Sequence, residues 1–89
     1  MLNIPKDMLD DLYEVLLSLE TKEDCKILLD DLCTRKEVEN MAQRIRAAKL
    51  LKNGETYNQV MSKTSIATAT LARVSECVKY GKGYKKFIK

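Results

Sequence analysis

The sequence predicts an all-α fold: a small multi-helix domain that contains a helix-turn-helix. Its 89 residues include one Pro and three Gly and are 45% hydrophobic, a balance typical of helical proteins without sheets. Apolar residues recur at helical spacing along most of the chain, and threonines that could cap a helix precede three of these segments. A chain this short forms one domain, predicted here as residues 1–89.

Residues 1–33 are predicted to form two helices for dimerisation. The first, over residues 6–20, is apolar around much of its circumference, so it must be buried on more than one side. In so short a chain this favours packing between the subunits of a homodimer, although the helix could instead cover the basic half of its own chain. The second helix is expected to begin at the cap signal Thr21–Asp24 and to end near Cys33. The apolar residues of the first helix are Met8, Leu9, Leu12, Tyr13, Val15, Leu16, Leu17 and Leu19.

The central and longest helix is predicted over residues 34–54. It starts at a capping box, in which Thr34 and Glu37 would satisfy each other's backbone amides, and it stops at Gly54. Four cations lie along its second half, either as a solvated surface or as groups that hold phosphates or an anionic ligand. These cations are Arg44, Arg46, Lys49 and Lys52. The inner seam is expected at Val38, Met41, Ala42, Ile45, Ala48 and Leu51.

Residues 56–80 have the spacing of a helix-turn-helix. Thr56 and Gln59 would cap the first helix, residues 63–65 would form the turn, and the second helix would run from about Thr68 to Tyr80. Leu71, Val74 and Val78 face inward in this prediction. The outer face of the second helix is small, polar and cationic, which suits the DNA major groove. That face consists of Thr68, Ala69, Ala72, Arg73 and Ser75.

The charge of the chain is sorted along its length. Residues 1–34 carry 3 Lys/Arg against 9 Asp/Glu, a net of −6, whereas residues 35–89 carry 13 against 4, a net of +9. A basic half that contains the candidate reading helix is typical of proteins that neutralise phosphates, so double-stranded DNA is the predicted partner. Residues 81–89 form a short basic tail that would dock on the domain or touch the DNA backbone.

Several classes of function are disfavoured. The sequence has no His, and its three cysteines, at positions 25, 33 and 77, lack a C-x-x-C spacing, so we expect no enzyme, no metal site and no cofactor beyond a possible small-molecule effector. The cysteines are expected to be small buried residues of a reduced protein. No apolar run approaches the roughly 18–20 residues of a membrane span, and the acidic N-terminus differs from a signal peptide, so a cytoplasmic protein is expected.

The run CTRKEVENMAQRIRAAKLLKNGETY, followed by TATLARVSECVKYGKGY, resembles the Trp repressor superfamily and, within it, the small proteins of the YerC/YecD type. The resemblance is close over residues 32–79 and extends to the N-terminal helices by order and length. It implies an interlocked homodimer that presents two reading heads to successive major grooves. The DNA contacts that it implies are Asn58, Lys63, Thr68, Ala69, Ala72 and Arg73.

The resemblance also implies a ligand pocket, because the Trp repressor holds tryptophan between two arginines. The matching pocket residues here are Thr34, Arg44, Thr70 and Arg73. However, Val74 replaces a Gly beside that ligand and is expected to intrude on the pocket with its branched side chain, and Cys77 replaces a Ser near the ligand's amino group. Tryptophan is therefore doubtful as an effector, and another small ligand, or none, remains open.

A second interpretation assigns the chain to another class, a helical protein-interaction or dimerisation module with a vestigial DNA-binding motif. Ser65 stands at the turn position where helix-turn-helix motifs favour Gly, at a cost of roughly 1–2 kcal/mol. Met61 stands where a small residue usually lets the two helices cross closely. The acidic N-terminal half would also repel phosphate if it lay on the same face as the reading helix.

Overall fold

The computed structural model describes residues 2–89 of the chain. These residues contain six helices and no strand, which confirms the predicted all-α class. The chain divides into two compact units, Met1–Thr34 and Arg35–Lys89. The first residue of the predicted range 1–33 lies outside the described residues. The helices are α1 Lys6–Leu17, α2 Lys22–Leu32, α3 Arg35–Lys52, α4 Tyr57–Thr64, α5 Thr68–Tyr80 and α6 Lys82–Phe87.

The first unit consists of α1 and α2. The predicted cap of α2 is present: Thr21 Oγ1 accepts a hydrogen bond from the Asp24 amide at 3.0 Å, and the Asp24 carboxylate accepts one from the Thr21 amide at 3.3 Å. Helix α1 ends three residues before the predicted boundary at Glu20. None of residues 2–34 is buried, and on α1 the exposed fractions are 39% for Leu12 and 42% for Leu16.

The core of the second unit lies where α4 and α5 pack on α3. Small side chains of α3 let both helices approach its backbone closely, and the apolar faces of α4 and α5 fill the remaining space. Six residues are buried there: Ala47, Ala48, Val60, Ile66, Leu71 and Val74. Leu51 and Val78 are partly buried against them, so the inward positions predicted for α5 are confirmed.

The predicted inner seam of α3 is wrong at three positions. Met41 is 39% exposed, Ile45 is 46% exposed, and Ala42 is also exposed, while Ala47 joins Ala48 in the core. Helix α3 has two apolar stripes, and helical spacing favours the one with the larger side chains. The stripe that packs in this chain is instead the one whose alanines permit close approach.

Helices α4 and α5 are joined by a tight turn. Thr56 Oγ1 accepts from the Gln59 amide at 3.2 Å, and Gln59 Oε1 accepts from the Thr56 amide at 2.8 Å, so the predicted capping box is present. Helix α4 continues through Thr64, so the turn begins later than the predicted residues 63–65. Ser65 has φ 60° and ψ 20°, the left-handed conformation that the sequence predicts there. The Thr64 hydroxyl donates to the Val60 carbonyl at 2.8 Å and accepts from the Ile66 amide at 3.2 Å, which braces the turn.

The basic tail forms a helix, α6, that the sequence analysis did not predict. It packs on the second unit through Tyr84 and Ile88, and Lys52 Nζ donates to the backbone carbonyls of both residues. Docking on the domain, one of the two predicted fates of the tail, is therefore confirmed. Gly81 lies at the junction of α5 and α6, where an added Cβ would be 2.6 Å from the Cys77 carbonyl oxygen.

Two further observations concern residues 2–89. No helix among them combines the length and the apolar character needed to cross a lipid bilayer. The cysteines are unpaired and half-buried, so the prediction that they are buried is wrong. Helical spacing alone does not distinguish partial from complete burial.

Candidate nucleic-acid interface

Helix α5 has two sharply different faces. Leu71 and Val74 are fully buried, and this fixes the rotation of the helix on α3 and α4. The opposite face carries four exposed residues that form two pairs four positions apart, so they lie together within less than two helical turns. They are Thr68, Ala69, Ala72 and Arg73, all predicted DNA contacts. Ser75, which the sequence analysis also placed outside, is half-buried.

The N-terminus of α5 could bind an anion, because no side chain caps or neutralises it. Ala67 precedes the helix and makes no side-chain cap, and the first turn of α5 contains no acidic residue. The first amides of a helix have no partner within the helix, and they carry the positive end of its dipole. The Thr68 hydroxyl contacts the Met61 sulfur at 3.5 Å and so links the start of α5 to α4. The exposed small side chains therefore lie beside a positive helix end.

Helix α4 contributes the two remaining predicted DNA contacts. Asn58 lies in its first turn and Lys63 in its last, and both are exposed. Lys63 Nζ lies 2.6 Å from Glu55 Oε1, just before the cap of the same helix. Because α4 and α5 share one core, the structure holds all six predicted DNA contacts on a single unit, Arg35–Lys89.

A cavity of about 260 Å³ lies between α3 and the turn that leads into α5. It brings together Arg44 and Thr70, two of the four predicted pocket residues. Its wall is polar and cationic, with amide side chains beside two positive charges. The remaining lining residues are Lys36, Asn40, Gln43, Ser65, Ile66 and Ala67.

The other two predicted pocket residues do not line this cavity. Arg73 lines a separate depression with Glu76, Cys77, Tyr80 and Gly81, and Thr34 belongs to the unit Met1–Thr34. Val74 lies in the core rather than on the wall of either space. A single pocket formed by all four residues remains a prediction.

Sequence reasoning missed Lys36, Asn40, Gln43 and Glu55 as site residues. Lys36, Asn40, Gln43 and Arg44 recur along one face of α3, so their spacing is a signal that could have grouped them. Glu55 carries no such signal, because its partner Lys63 is eight positions away and approaches only once α4 has formed.

Comparison with known proteins decides the family. Residues 7–89 match the family model described as Trp repressor protein. The chain belongs to the Trp repressor family. YerC of Bacillus subtilis (strain 168), described as uncharacterized, is 42% identical over 73 residues, which cover 82% of this chain and 70% of YerC.

The structural comparison agrees with that placement. The crystal structure of a candidate Trp repressor from Staphylococcus aureus matches with a TM-score of 0.84 and 35% identity, over 89% of this chain and 79% of that one. Together with the similarity to YerC, it confirms the predicted resemblance to Trp repressor-like proteins of the YerC type. Proteins of the Trp repressor family are regulators rather than enzymes.

Proposed function

We propose that this protein is a sequence-specific DNA-binding transcriptional regulator, repressor-like, which acts as a homodimer through a helix-turn-helix formed by α4 and α5. The observation that carries the proposal is the exposed face of α5 at Thr68, Ala69, Ala72 and Arg73. It lies opposite a fully buried face and on a unit with 13 Lys/Arg against 4 Asp/Glu. Membership of the Trp repressor family supports this function.

Each side chain has a distinct role in the proposed complex. The small side chains of α5 permit close approach to base edges in the major groove, and the Arg73 guanidinium donates two hydrogen bonds to a guanine. Asn58 and Lys63 of α4 bind backbone phosphates, which orient the domain without specifying sequence. The uncapped amides at the start of α5 add a further favourable field for phosphate.

The proposed homodimer accounts for apolar surface that this chain leaves open. On α1, Tyr13 is 49% exposed and Leu17 is 84% exposed, and on α3 Ile45 is 46% exposed. A second copy that covers these faces would remove them from water. Two reading heads related by a two-fold axis would bind half-sites about 34 Å apart. Such a regulator would act in the cytoplasm, where bacterial DNA lies.

A small-molecule effector would have a place in the cavity lined by Arg44 and Thr70. Two cations, Lys36 and Arg44, together with the amides of Asn40 and Gln43, suit a ligand with a carboxylate or another anionic group. The cavity adjoins the turn and the first residues of α5, so an occupant would contact the segment that orients the reading helix. Tryptophan remains doubtful as an effector, because the family's position near its amino group is Cys77 here, a poor hydrogen-bond partner that lines the separate depression with Arg73 rather than this cavity.

The deciding experiment is a selection of binding sites from random duplex DNA at moderate salt, with and without tryptophan. Enrichment of a two-fold symmetric sequence without ligand supports a constitutive regulator. Enrichment only with tryptophan supports a regulator but overturns the doubt about that ligand. No enrichment in either condition contradicts the proposed function.

A helical protein-interaction module is the second candidate, and the exposed apolar residues of α1 favour it. Salt distinguishes the two functions. Phosphate binding weakens steeply as ionic strength rises, whereas an apolar protein contact barely responds. Binding of a partner that persists unchanged from low to high salt would favour the interaction module.

A further inference from the structure

Glu55 is anchored through the backbone on both of its sides. Its backbone amide donates to the Leu50 carbonyl at 3.1 Å, at the end of α3, and the next residue, Thr56, is fixed by the capping box of α4. The Glu55 side chain is 20% exposed, whereas that of its partner Lys63 is 57% exposed. Glu55 is therefore the less exposed member of this ion pair, and the more exposed Lys63 is the member that can bind another anion.

The position of Glu55 opposes phosphate. It precedes the N-cap Thr56 of α4, where the helix dipole favours an anion, and its negative charge would repel a DNA phosphate near this helix. If Lys63 leaves Glu55 to bind a phosphate, the Glu55 carboxylate loses its countercharge close to the DNA backbone. The attraction gained by Lys63 is then largely offset by the repulsion from Glu55.

We propose that Glu55 attenuates the affinity of this protein for DNA by neutralising Lys63, the proposed phosphate contact in the last turn of α4. The inference rests on the proposed function, since it takes Lys63 to be a backbone contact. Because phosphates are the same in every sequence, the attenuation is uniform across sequences. It acts on overall affinity and salt dependence, and leaves the choice of bases to α5.

Counterion release makes the inference quantitative. Each phosphate neutralised by a protein cation steepens the slope of log K against log salt by about 0.9 for duplex DNA. While Glu55 is charged, binding of Lys63 to a phosphate releases one cation from the DNA, but the carboxylate then takes up another cation from solution. The pair therefore contributes almost nothing to this slope. Without the carboxylate charge, Lys63 should contribute the full slope of one phosphate contact.

The test measures binding of the full chain to a labelled duplex of mixed sequence over a series of salt concentrations. We expect Glu55→Gln to tighten binding roughly two- to fivefold at low salt, the range of an exposed ion pair, and to steepen the slope by about 0.9. In the double variant Glu55→Gln/Lys63→Gln, the two side chains have zero net charge, as they do in the wild type. Its affinity for DNA should therefore return close to that of the wild type. Glu39→Gln, an equal change of charge at an exposed position of α3, is the matched control.

The outcomes separate this inference from the function on which it rests. A wild-type protein that binds no duplex at any salt overturns both. A wild type that binds, with Glu55→Gln no tighter than Glu39→Gln, overturns the role of Glu55 alone. Weaker binding by Glu55→Gln also overturns it, since Glu55 would then aim Lys63 at the phosphate. Circular dichroism checks that the helices are retained, and Glu55→Ala repeats the charge change if Gln perturbs them.

Discussion

The side-chain amide of Gln43 donates a hydrogen bond to the backbone carbonyl of Thr64, with 3.1 Å between Nε2 and O. The bond joins the middle of α3 to the last residue of α4, immediately before the turn that leads into α5. It is one of the contacts that fix the angle at which the proposed reading helix leaves the core.

Gln43→Ala should therefore lower the free energy of unfolding by about 1 kcal/mol, because the half-buried Thr64 carbonyl loses its side-chain donor. Urea denaturation measures the change. Asn40→Ala removes a neighbouring amide from the same helix and is expected to cost less than about 0.5 kcal/mol. Equal effects of the two substitutions would show that the Gln43 bond adds nothing of its own.

Ser65→Gly should stabilise the protein, because Ser65 occupies the left-handed region at φ 60°. Relief of roughly 1–2 kcal/mol of backbone strain exceeds the extra chain entropy of about 0.4–1 kcal/mol that Gly adds to the unfolded state. We expect a net gain of about 0.5–1 kcal/mol in the free energy of unfolding. Ser62→Gly, the same change inside α4, should instead cost a few tenths of a kcal/mol, because Gly is a poorer helix former than Ser, so the two substitutions should change the free energy of unfolding in opposite directions.

Arg73→Ala should weaken binding to a selected site by about 1–3 kcal/mol and relax the preference at one base position, since Arg73 is proposed to read a guanine edge. Lys63→Ala should weaken binding to all sequences alike. Lys79→Ala, a cation in the last turn of α5, is the control and should have little effect on base preference. Competition assays with selected and random duplexes measure all three, and unchanged preference in Arg73→Ala would mean that α5 is misassigned as the reading helix.

Leu16→Asp should disrupt the proposed homodimer, because Leu16 is 42% exposed on the apolar surface of α1 and a charge there could not be covered by a partner. Sedimentation or light scattering should show the mass of one chain in place of two, and binding to the complete symmetric site should fall. Asn3→Asp adds the same charge outside α1 and should leave the dimer intact. A single-chain mass for the wild type would contradict the homodimer itself.

Features that depend on neighbouring residues could be predicted from the sequence. The capping boxes at Thr21 and Thr56 span four residues each, and the strained turn at Ser65 follows from its position between two periodic segments. The bounds of α5 and its buried positions Leu71 and Val74 also agree with the prediction. In each case the information lies within one or two helical turns.

Features that depend on tertiary packing could not be predicted in the same way. Which stripe of α3 packs inward is decided by how closely α4 and α5 can approach Ala47 and Ala48, and spacing cannot rank two apolar stripes by that property. The Gln43–Thr64 bond joins residues 21 positions apart. Helix α6 is only six residues long and rich in lysine, too short for a periodic pattern, and its order depends on contacts made by Tyr84 and Ile88.

The three glycines of this chain differ in how much variation they allow. Gly83 has nothing within 4 Å of an added Cβ, and Gly54, at φ 87°, has space but a backbone that few other residues tolerate. At Gly81 the backbone is ordinary, and the obstacle is the Cys77 carbonyl oxygen. Related sequences could therefore carry other residues at position 83. The bend from α5 into α6 would be retained only in those that have Gly at position 81.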